Sequence, residues 1–187
     1  MPPAPFLFLD RDGVLNEMVI EAEHGLIDSP LNVDQVRVSA KSIEALQILK
    51  NLGCHFAIVT NQPSAAKGKT TLGNLEAVHA KILQEYRERG IHFEKSYVCF
   101  HRAEDGCECR KPKPGMILQG LAEISGINRS TAWIIGDGVT DVECGQAAGL
   151  KTAYLGPDKC DARKIFQGRE PDFWGSSLLE FARKLQS

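Results

Sequence analysis

The segment Phe6-Leu7-Phe8-Leu9-Asp10-Arg11-Asp12-Gly13-Val14-Leu15-Asn16 places the first strand and the first turn of the chain. Its four leading apolar residues are too few for a helix but suit a strand that is buried on both faces. The apolar run ends at Asp10, with Asp12 two positions later and Gly13 marking a tight turn. Carboxylates beside a core are costly unless they are compensated, and a bound Mg2+ would compensate them. A solvated turn is the alternative interpretation of so short a motif.

Length and composition indicate an ordinary soluble protein. The chain has 187 residues, of which 43% are hydrophobic and 25% charged, and its net charge is -2. We expect a single domain over residues 1–187 with a sizeable core. The small net charge argues against nucleic-acid binding, and no apolar run is long enough for a membrane span. The first residues lack the features of a signal peptide. We therefore expect a monomer in the cytoplasm, with neither nucleic acid nor membrane as a partner.

Strands and helices are predicted to alternate along the chain. Segments with the apolar spacing of a helix lie between the short apolar runs that are predicted to be strands. This alternation indicates right-handed crossovers and an α/β fold with a parallel sheet. Residues from 14 to about 38 lack a clear period and are interpreted as a flap or small hairpin, and 156–171 as a loop. The final helix is predicted to begin after Ser176 or Ser177. The predicted strands cover residues 6–9, 54–59, 96–100, 131–135 and 152–155.

Polar residues follow several of the predicted strands. In parallel sheets of this kind, ligands bind outside the carboxyl ends of the strands. Polar side chains that follow different strands should therefore meet at one edge of the sheet. The residues so placed are Asp10 and Asp12 after the first strand, Thr60 and Asn61 after the second, Lys111 beyond the third, and Asp137 and Asp141 after the fourth.

These residue types suit phosphoryl transfer, which depends on positioning and on neutralising charge. Asp10 is predicted to be a nucleophile that forms a phosphoaspartate. Asp12 is predicted to act first as the general acid and then as the general base. Asp137 would complete a Mg2+ site with Asp10 and the backbone carbonyl of Asp12. Three further groups would serve the phosphate: the Thr60 hydroxyl, the Asn61 N–H and the Lys111 ammonium.

Four soft ligands lie within eleven residues in the loop 99–110. In a cytosolic chain this pattern favours a metal site over disulfides, and four protein ligands suffice for a closed tetrahedral zinc site. Free thiols in a flexible loop are the alternative. The ligands are Cys99, His101, Cys107 and Cys109. The other cysteines, Cys54, Cys144 and Cys160, are expected to behave as small apolar residues, and His79 as a packed or solvated side chain.

Four motifs in order resemble those of the haloacid dehalogenase (HAD) phosphohydrolase superfamily. They are Asp-Arg-Asp-Gly-Val-Leu-Asn from Asp10, Val-Thr-Asn-Gln from Val59, Arg-Lys-Pro from Arg110 and Gly-Asp-x-x-x-Asp from Gly136. The resemblance covers about residues 6 to 156. It implies a Rossmann-like three-layer sandwich with a central parallel sheet and Mg2+-dependent phosphoaspartate chemistry. The chain leaves no room for a large cap domain.

The run Cys-x-Cys-Arg-Lys-Pro-x-Pro-Gly-Met from Cys107 resembles the family of heptose 1,7-bisphosphate 7-phosphatases and histidinol-phosphate phosphatases. The resemblance implies a structural zinc on the four ligands of the 99–110 loop. It also implies a small phosphate ester as substrate, a heptose bisphosphate first and histidinol phosphate or another sugar phosphate as the alternative. The implied substrate contacts are Arg110, Lys111 and the loop Asn61-Gln62-Pro63-Ser64.

Two departures from that family concern the substrate. The family usually has Asn-Gln-Ser-Gly-Ile-Ala-Arg-Gly, whereas residues 61–68 of this chain are Asn-Gln-Pro-Ser-Ala-Ala-Lys-Gly, with Pro63-Ser64 in place of Ser-Gly. The family also commonly has lysine after the aspartate of the fourth motif, where this chain has Gly138. A zinc-stabilised interaction module without activity is the non-enzymatic alternative. The intact acidic residues argue against it, because an inactive module has no need of mutually repelling charges.

Overall fold

The computed structural model describes residues 4–21, 26–156, 166 and 168–187. The tip of the predicted flap at 22–25, Cys160 and most of the predicted 156–171 loop lie outside the described residues. The helices and strands are β1 Phe6–Leu9, β2 Val19–Glu21, β3 Leu26–Asp28, α1 Ala40–Asn51, β4 His55–Asn61, α2 Leu72–Arg87, β5 Lys95–Cys99, α3 Gly115–Glu123, β6 Trp133–Gly136, α4 Val139–Ala148, β7 Lys151–Leu155, β8 Phe173–Gly175 and α5 Leu178–Gln186.

A six-stranded parallel sheet forms the centre of the protein, with the strand order β5-β4-β1-β6-β7-β8. Strand β1 lies between β4 and β6, in the interior of the sheet. Each of its four residues is at most 8% exposed, which is why an unbroken apolar run encodes it. The predicted parallel sheet is confirmed.

Helices cover both faces of the sheet. Successive side chains of a strand point to opposite faces, so Leu7 and Leu9 pack on one side and Phe6 and Phe8 on the other. The first side is covered by α1, α2 and α5, and the second by α3 and α4. The three layers are those of the predicted Rossmann-like sandwich, which is confirmed.

Several boundaries differ from the sequence prediction for local reasons. Strand β6 begins at Trp133 rather than 131, because the N–H groups of Thr131 and Ala132 bond back to the Asn128 carbonyl in a turn. Ser39 precedes α1 as expected, but its side chain makes no capping hydrogen bond. Strand β8 was not predicted, since three residues ending in glycine carry almost no periodic signal.

The connections at the carboxyl ends of the strands are short. Between β1 and α1 the chain forms only the β2–β3 hairpin and a 3₁₀ turn, so the described residues include no large cap. A 2.5 Å ion pair between Asp28 and Lys69 joins this hairpin to the turn after β4. At the opposite end of the sheet, an exposed turn at 126–130 leads from α3 into β6. None of the described helices is both long and apolar enough to cross a membrane.

Candidate active site

The turn after β1 holds Asp10 at the carboxyl end of the strand. The Asp10 N–H donates to the Ile135 carbonyl of β6 at 2.9 Å, and the Arg11 N–H donates to Asp10 Oδ1 at 2.7 Å. Gly13 has φ +81°, and a Cβ there would collide with the Asp137 carboxylate. Glycine therefore permits both the turn and the close approach of Asp137 to it.

Three carboxylates converge beside this turn. Asp10, Asp137 and Asp141 each place an oxygen within 4.8 Å of the other two. Asp137 follows β6 and is exposed, whereas Asp141 lies in the first turn of α4 and is buried. Asp141 Oδ2 accepts a hydrogen bond from the Gly138 N–H at 3.1 Å. Such a group of oxygen ligands suits a hard divalent cation.

Lys111 lies in the middle of this acidic cluster and is 3% exposed. Its Nζ donates to the Val59 carbonyl at 2.9 Å and pairs with Asp10 Oδ1 at 2.9 Å and Asp141 Oδ1 at 2.5 Å. The backbone of Lys111 is fixed by the Asn61 side chain through two reciprocal hydrogen bonds of 3.1 Å. The ammonium is thereby held next to the predicted nucleophile.

Asp12 and Thr60 line the same cleft as Lys111. Asp12 accepts hydrogen bonds from the side chains of Arg11, Asn16 and Gln62. The Thr60 hydroxyl accepts from Gln62 Nε2 at 2.9 Å. Because its oxygen accepts this bond, its own proton stays available to a bound phosphate.

A cleft of about 190 Å³ opens onto these groups. A larger groove of about 470 Å³ lies between α2 and β5, but none of the carboxylates of the acidic cluster lines it. The chemistry of the side chains, rather than cavity size, therefore identifies the site. The cleft is lined by Asp10, Asp12, Met18, Ser29, Thr60, Asn61, Lys111, Asp137, Gly138, Thr140 and Asp141.

The four soft ligands of the 99–110 loop also meet. Cys99, His101, Cys107 and Cys109 each place one ligand atom within 4.8 Å of the others, and five of the separations are 3.3 to 3.7 Å. Ligand atoms at tetrahedral angles, about 2.3 Å from a shared zinc, would lie about 3.8 Å apart. The arrangement therefore fits zinc. Burial opposes ionisation of the Cys107 thiol, but hydrogen bonds, chiefly from Cys109, lower its pKa to about 7.

Comparison with known proteins identifies the family. A family profile described as HAD-hydrolase-like matches residues 108–181. The chain is 38% identical over 141 residues to D-glycero-beta-D-manno-heptose-1,7-bisphosphate 7-phosphatase from Pseudomonas aeruginosa, covering 75% of each chain. The chain belongs to this family of HAD-like phosphatases. The enzyme of the same name from Pasteurella multocida is 36% identical over 155 residues, covering 80% of this chain and 79% of that one. The predicted resemblance and enzyme class, a phosphoric monoester hydrolase, are confirmed.

Solved structures agree with this assignment. D,D-heptose 1,7-bisphosphate phosphatase from B. bronchiseptica, complexed with magnesium and phosphate, superposes on this HAD-like phosphatase with a TM-score of 0.78 and 26% identity. The superposition covers 97% of this chain and 98% of that one. The corresponding enzyme from Burkholderia thailandensis, with a TM-score of 0.66 and 20% identity, shows the shared fold alone.

The electrostatics of the phosphatase site reflect its crowded carboxylates. Burial raises the pKa of Asp10 to about 7, because Lys111 offsets the lost solvation only in part. Desolvation by the surrounding atoms of the cleft, together with Asp141, raises the pKa of Asp137 to about 6, although part of this residue stays in contact with solvent. Burial by itself would lower the pKa of Lys111, but Asp10 and Asp141 hold it above its usual range. The cleft is lined by four aspartates but by only one cationic side chain, Lys111, and a divalent cation would offset this excess of negative charge.

The structure brings most of the predicted site residues together, but four of them lie apart from the cleft. Gln62 is 1% exposed and faces Asp12 and Thr60, while Pro63, Ser64 and Arg110 are not among the residues that line the cleft. Arg110 donates to the His101 carbonyl at 3.1 Å, so it adjoins the soft-ligand cluster. The substrate contacts predicted for these four residues stay predictions.

Two residues of the phosphatase site received no role from the sequence. Asp141 was expected at this edge of the sheet but was given no chemical role, although it pairs with Lys111 and belongs to the acidic cluster. Its spacing of four from Asp137, at the start of a helix, is the signal that could have placed it inward. Arg11 gave no such signal, since an arginine between two aspartates usually points to solvent.

Proposed function

We propose that this phosphatase hydrolyses its ester through a phosphoaspartate on Asp10. The proposal rests on one observation: the Asp10 carboxylate is held beside the Lys111 ammonium, at the mouth of a cleft that Asp12 and Thr60 also line. In the first step Asp10 attacks phosphorus, the bond to the ester oxygen breaks, and Asp12 gives that oxygen its proton. In the second step water attacks phosphorus, its proton passes to Asp12, and the bond to Asp10 breaks.

The remaining residues of the cleft would hold the phosphate. The Thr60 hydroxyl has a proton free to donate, and Lys111 supplies positive charge next to Asp10. Asn61 fixes the backbone of Lys111 and would add its own N–H to the phosphate. These groups position the phosphorus for attack rather than taking part in bond breaking.

Mg2+ is the proposed cofactor of the cleft. Both oxygens of Asp141 already have partners, Lys111 and the Gly138 N–H, so Asp141 suits the role of a support. Asp10 and Asp137, with the backbone carbonyl of Asp12, would then hold the ion. When bound, Mg2+ would neutralise charge on the phosphoryl oxygens and orient the phosphate.

Zinc is the proposed occupant of the soft-ligand cluster, in a structural role. All four ligands come from the chain, so no position is left open for water. The chain runs directly from Cys109 through Arg110 to Lys111. An ordered loop would therefore hold Lys111 in its place at the site.

The proposed substrate is D-glycero-D-manno-heptose 1,7-bisphosphate, with release of the phosphate on carbon 7. Its support is the substrate named for relatives up to 38% identical to this chain. Turnover with Mg2+ should be compared for the α and β anomers of the heptose bisphosphate, histidinol phosphate and a panel of sugar phosphates. The highest kcat/KM is expected for a heptose bisphosphate. A preference for histidinol phosphate would identify that ester as the substrate instead. Absence of Mg2+-dependent turnover on every ester would favour the non-enzymatic alternative, a zinc-stabilised interaction module. The single domain, the monomeric state and the cytoplasmic location remain predictions of the sequence.

A further inference from the structure

Arg11 is the most unusual buried side chain of the site. Its guanidinium is 0% exposed, and its ionic partner among the described residues is the adjacent Asp12. Arg11 Nε lies 3.1 Å from Asp12 Oδ1, and Arg11 Nη2 lies 3.1 Å from Oδ1 and 3.0 Å from Oδ2. A planar guanidinium that contacts both oxygens fixes the plane of the carboxylate as well as its position.

Two amides complete the contacts of the Asp12 carboxylate. Asn16 Nδ2 donates to Oδ1 at 2.8 Å and Gln62 Nε2 donates to Oδ2 at 2.5 Å. Gln62 Nε2 also donates to the Thr60 hydroxyl at 2.9 Å, which links Asp12 to the proposed phosphate-binding strand β4. All these neighbours donate, so together they fix the orientation of the Asp12 carboxyl group.

The fold alone gives little reason to bury this guanidinium. Removing a charge from water is costly, and buried ion pairs can often be replaced by apolar side chains without loss of stability. Arg11 Nη1 has no hydrogen-bond partner among the described residues, and neither ring nitrogen of the neighbouring His79 has one. Arg11 therefore leaves polar atoms unsatisfied, and its close contact is with the carboxylate that faces the cleft.

We propose that Arg11 is a positioning residue which, with Gln62 and Asn16, holds the Asp12 carboxylate for the hydrolysis of the phosphoaspartate. This inference rests on the proposed function. In that step a water oxygen attacks phosphorus, the phosphorus bond to Asp10 breaks, and the proton released by the water passes to Asp12. The first step on an aryl phosphate needs no proton from Asp12, because the leaving phenolate is stable. Loss of the frame formed by Arg11, Gln62 and Asn16 should therefore slow the second step selectively.

Rapid mixing of the full-length enzyme with 4-nitrophenyl phosphate and Mg2+ separates the two steps. For Arg11→Met we expect the steady-state kcat to fall by about tenfold or more, while a burst of one nitrophenolate per active site forms at a rate close to that of the wild type. The matched control is Tyr86→Phe. It removes a 2.6 Å hydrogen bond to the Leu15 carbonyl of the same turn but does not touch Asp12, and its kcat should stay near that of the wild type.

Further variants keep the proposal open to refutation. Arg11→Lys keeps the charge without the planar fork, so it should resemble Arg11→Met, and full activity of the lysine variant would overturn the proposal. An equal loss in the burst and in the steady state would also overturn it. If circular dichroism shows that neither Arg11 variant folds, the test passes to Gln62→Met. We expect this variant to show the same burst and a lowered steady-state kcat, and wild-type kinetics would contradict the proposal. Lack of Mg2+-dependent turnover in the wild type would refute the proposed function instead.

Discussion

At the scale of single residues, Lys111 organises the site. Its ammonium bonds to groups in the turn after β1, on β4 and on α4, which are far apart in the sequence. A buried cation with three acceptors brings the carboxylates of Asp10 and Asp141 nearer to each other than their mutual repulsion would otherwise favour. The sequence identified Lys111 and Asp10 by motif. It could not give this bonding pattern, because rotamers depend on the packed environment.

Replacing the proposed nucleophile tests the chemistry directly. Asp10→Asn should abolish turnover, because the amide cannot attack phosphorus, and it should prevent trapping by fluoroberyllate. The variant should remain folded, since it removes a charge whose burial is unfavourable. Asp34→Asn, in an exposed 3₁₀ turn, is the matched control and should keep full activity. Activity of Asp10→Asn within about tenfold of the wild type would rule out Asp10 as the nucleophile.

His79 should make stability depend on pH. Burial lowers its pKa to about 4, with nearby Arg11 adding to the effect, whereas in the unfolded chain it is about 6.5. Between pH 6.5 and pH 4 the His79 side chain is therefore mostly protonated in the unfolded state but mostly neutral in the folded state. The free energy of unfolding consequently falls as the pH falls. Linkage gives a loss of about 2 kcal/mol at pH 5.

Urea unfolding at pH 7 and pH 5 measures this contribution. The wild type and His92→Gln, a control at an exposed position, should lose about 2 kcal/mol more than His79→Gln between the two pH values. Because all three proteins share the carboxylates of the site, the titration of Asp10 and Asp137 cancels in the comparison. Equal losses in the three proteins would show that His79 takes up a proton freely in the folded state.

At the scale of elements, the segment between β5 and α3 joins two sites. It begins with Cys99 at the end of β5, passes through the soft-ligand cluster and ends next to Lys111. Lys113 ties the loop to itself through the Gly106 carbonyl at 3.0 Å and Glu108 at 2.8 Å. Ligand spacing predicted this cluster, whereas β8 could not be predicted, because its three residues form a strand only by pairing with β7.

Loss of one soft ligand should release the whole segment. Cys107→Ser is expected to lower the zinc content from about one ion per chain, with a lower melting temperature and weaker catalysis as consequences. Elemental analysis and calorimetry on protein freed of Mg2+ would measure this. Cys54→Ala, which changes a buried thiol outside the cluster, is the control and should keep its zinc. A fully active wild-type enzyme that contains no zinc would contradict the prediction.

At the scale of the whole molecule, the sheet gathers negative charge at one end. The net charge of the chain is only -2, yet four aspartates line one cleft: Asp10, Asp12, Asp137 and Asp141. Alternating strands and helices predicted this gathering, because parallel strands end at the same edge. The sequence could not give the desolvation that raises the pKa values of Asp10 and Asp137, since loss of solvent around these carboxylates depends on how the surrounding elements pack.

Mg2+ should therefore stabilise the protein, and more strongly at high pH. Asp10 and Asp137 have raised pKa values of about 7 and about 6 in the folded state, so their favourable contribution is present below about pH 4 and is lost as the pH rises through those values. A cation that binds the ionised carboxylates opposes that loss. The rise in melting temperature with excess Mg2+ should be larger at pH 8 than at pH 5.5. Asp137→Asn should show a smaller rise, and a rise that does not depend on pH would contradict the reasoning.

The exposed turn at 126–130 offers a place to attach probes. It lies at the amino ends of the strands, separated from the cleft by the length of the strands, and none of its five residues is buried. Exposed turns of this kind tolerate inserted sequence well. A fluorescent tag or an affinity peptide placed there would let the enzyme be immobilised with its cleft facing outward. Single molecules could then be observed during turnover without a label near the chemistry.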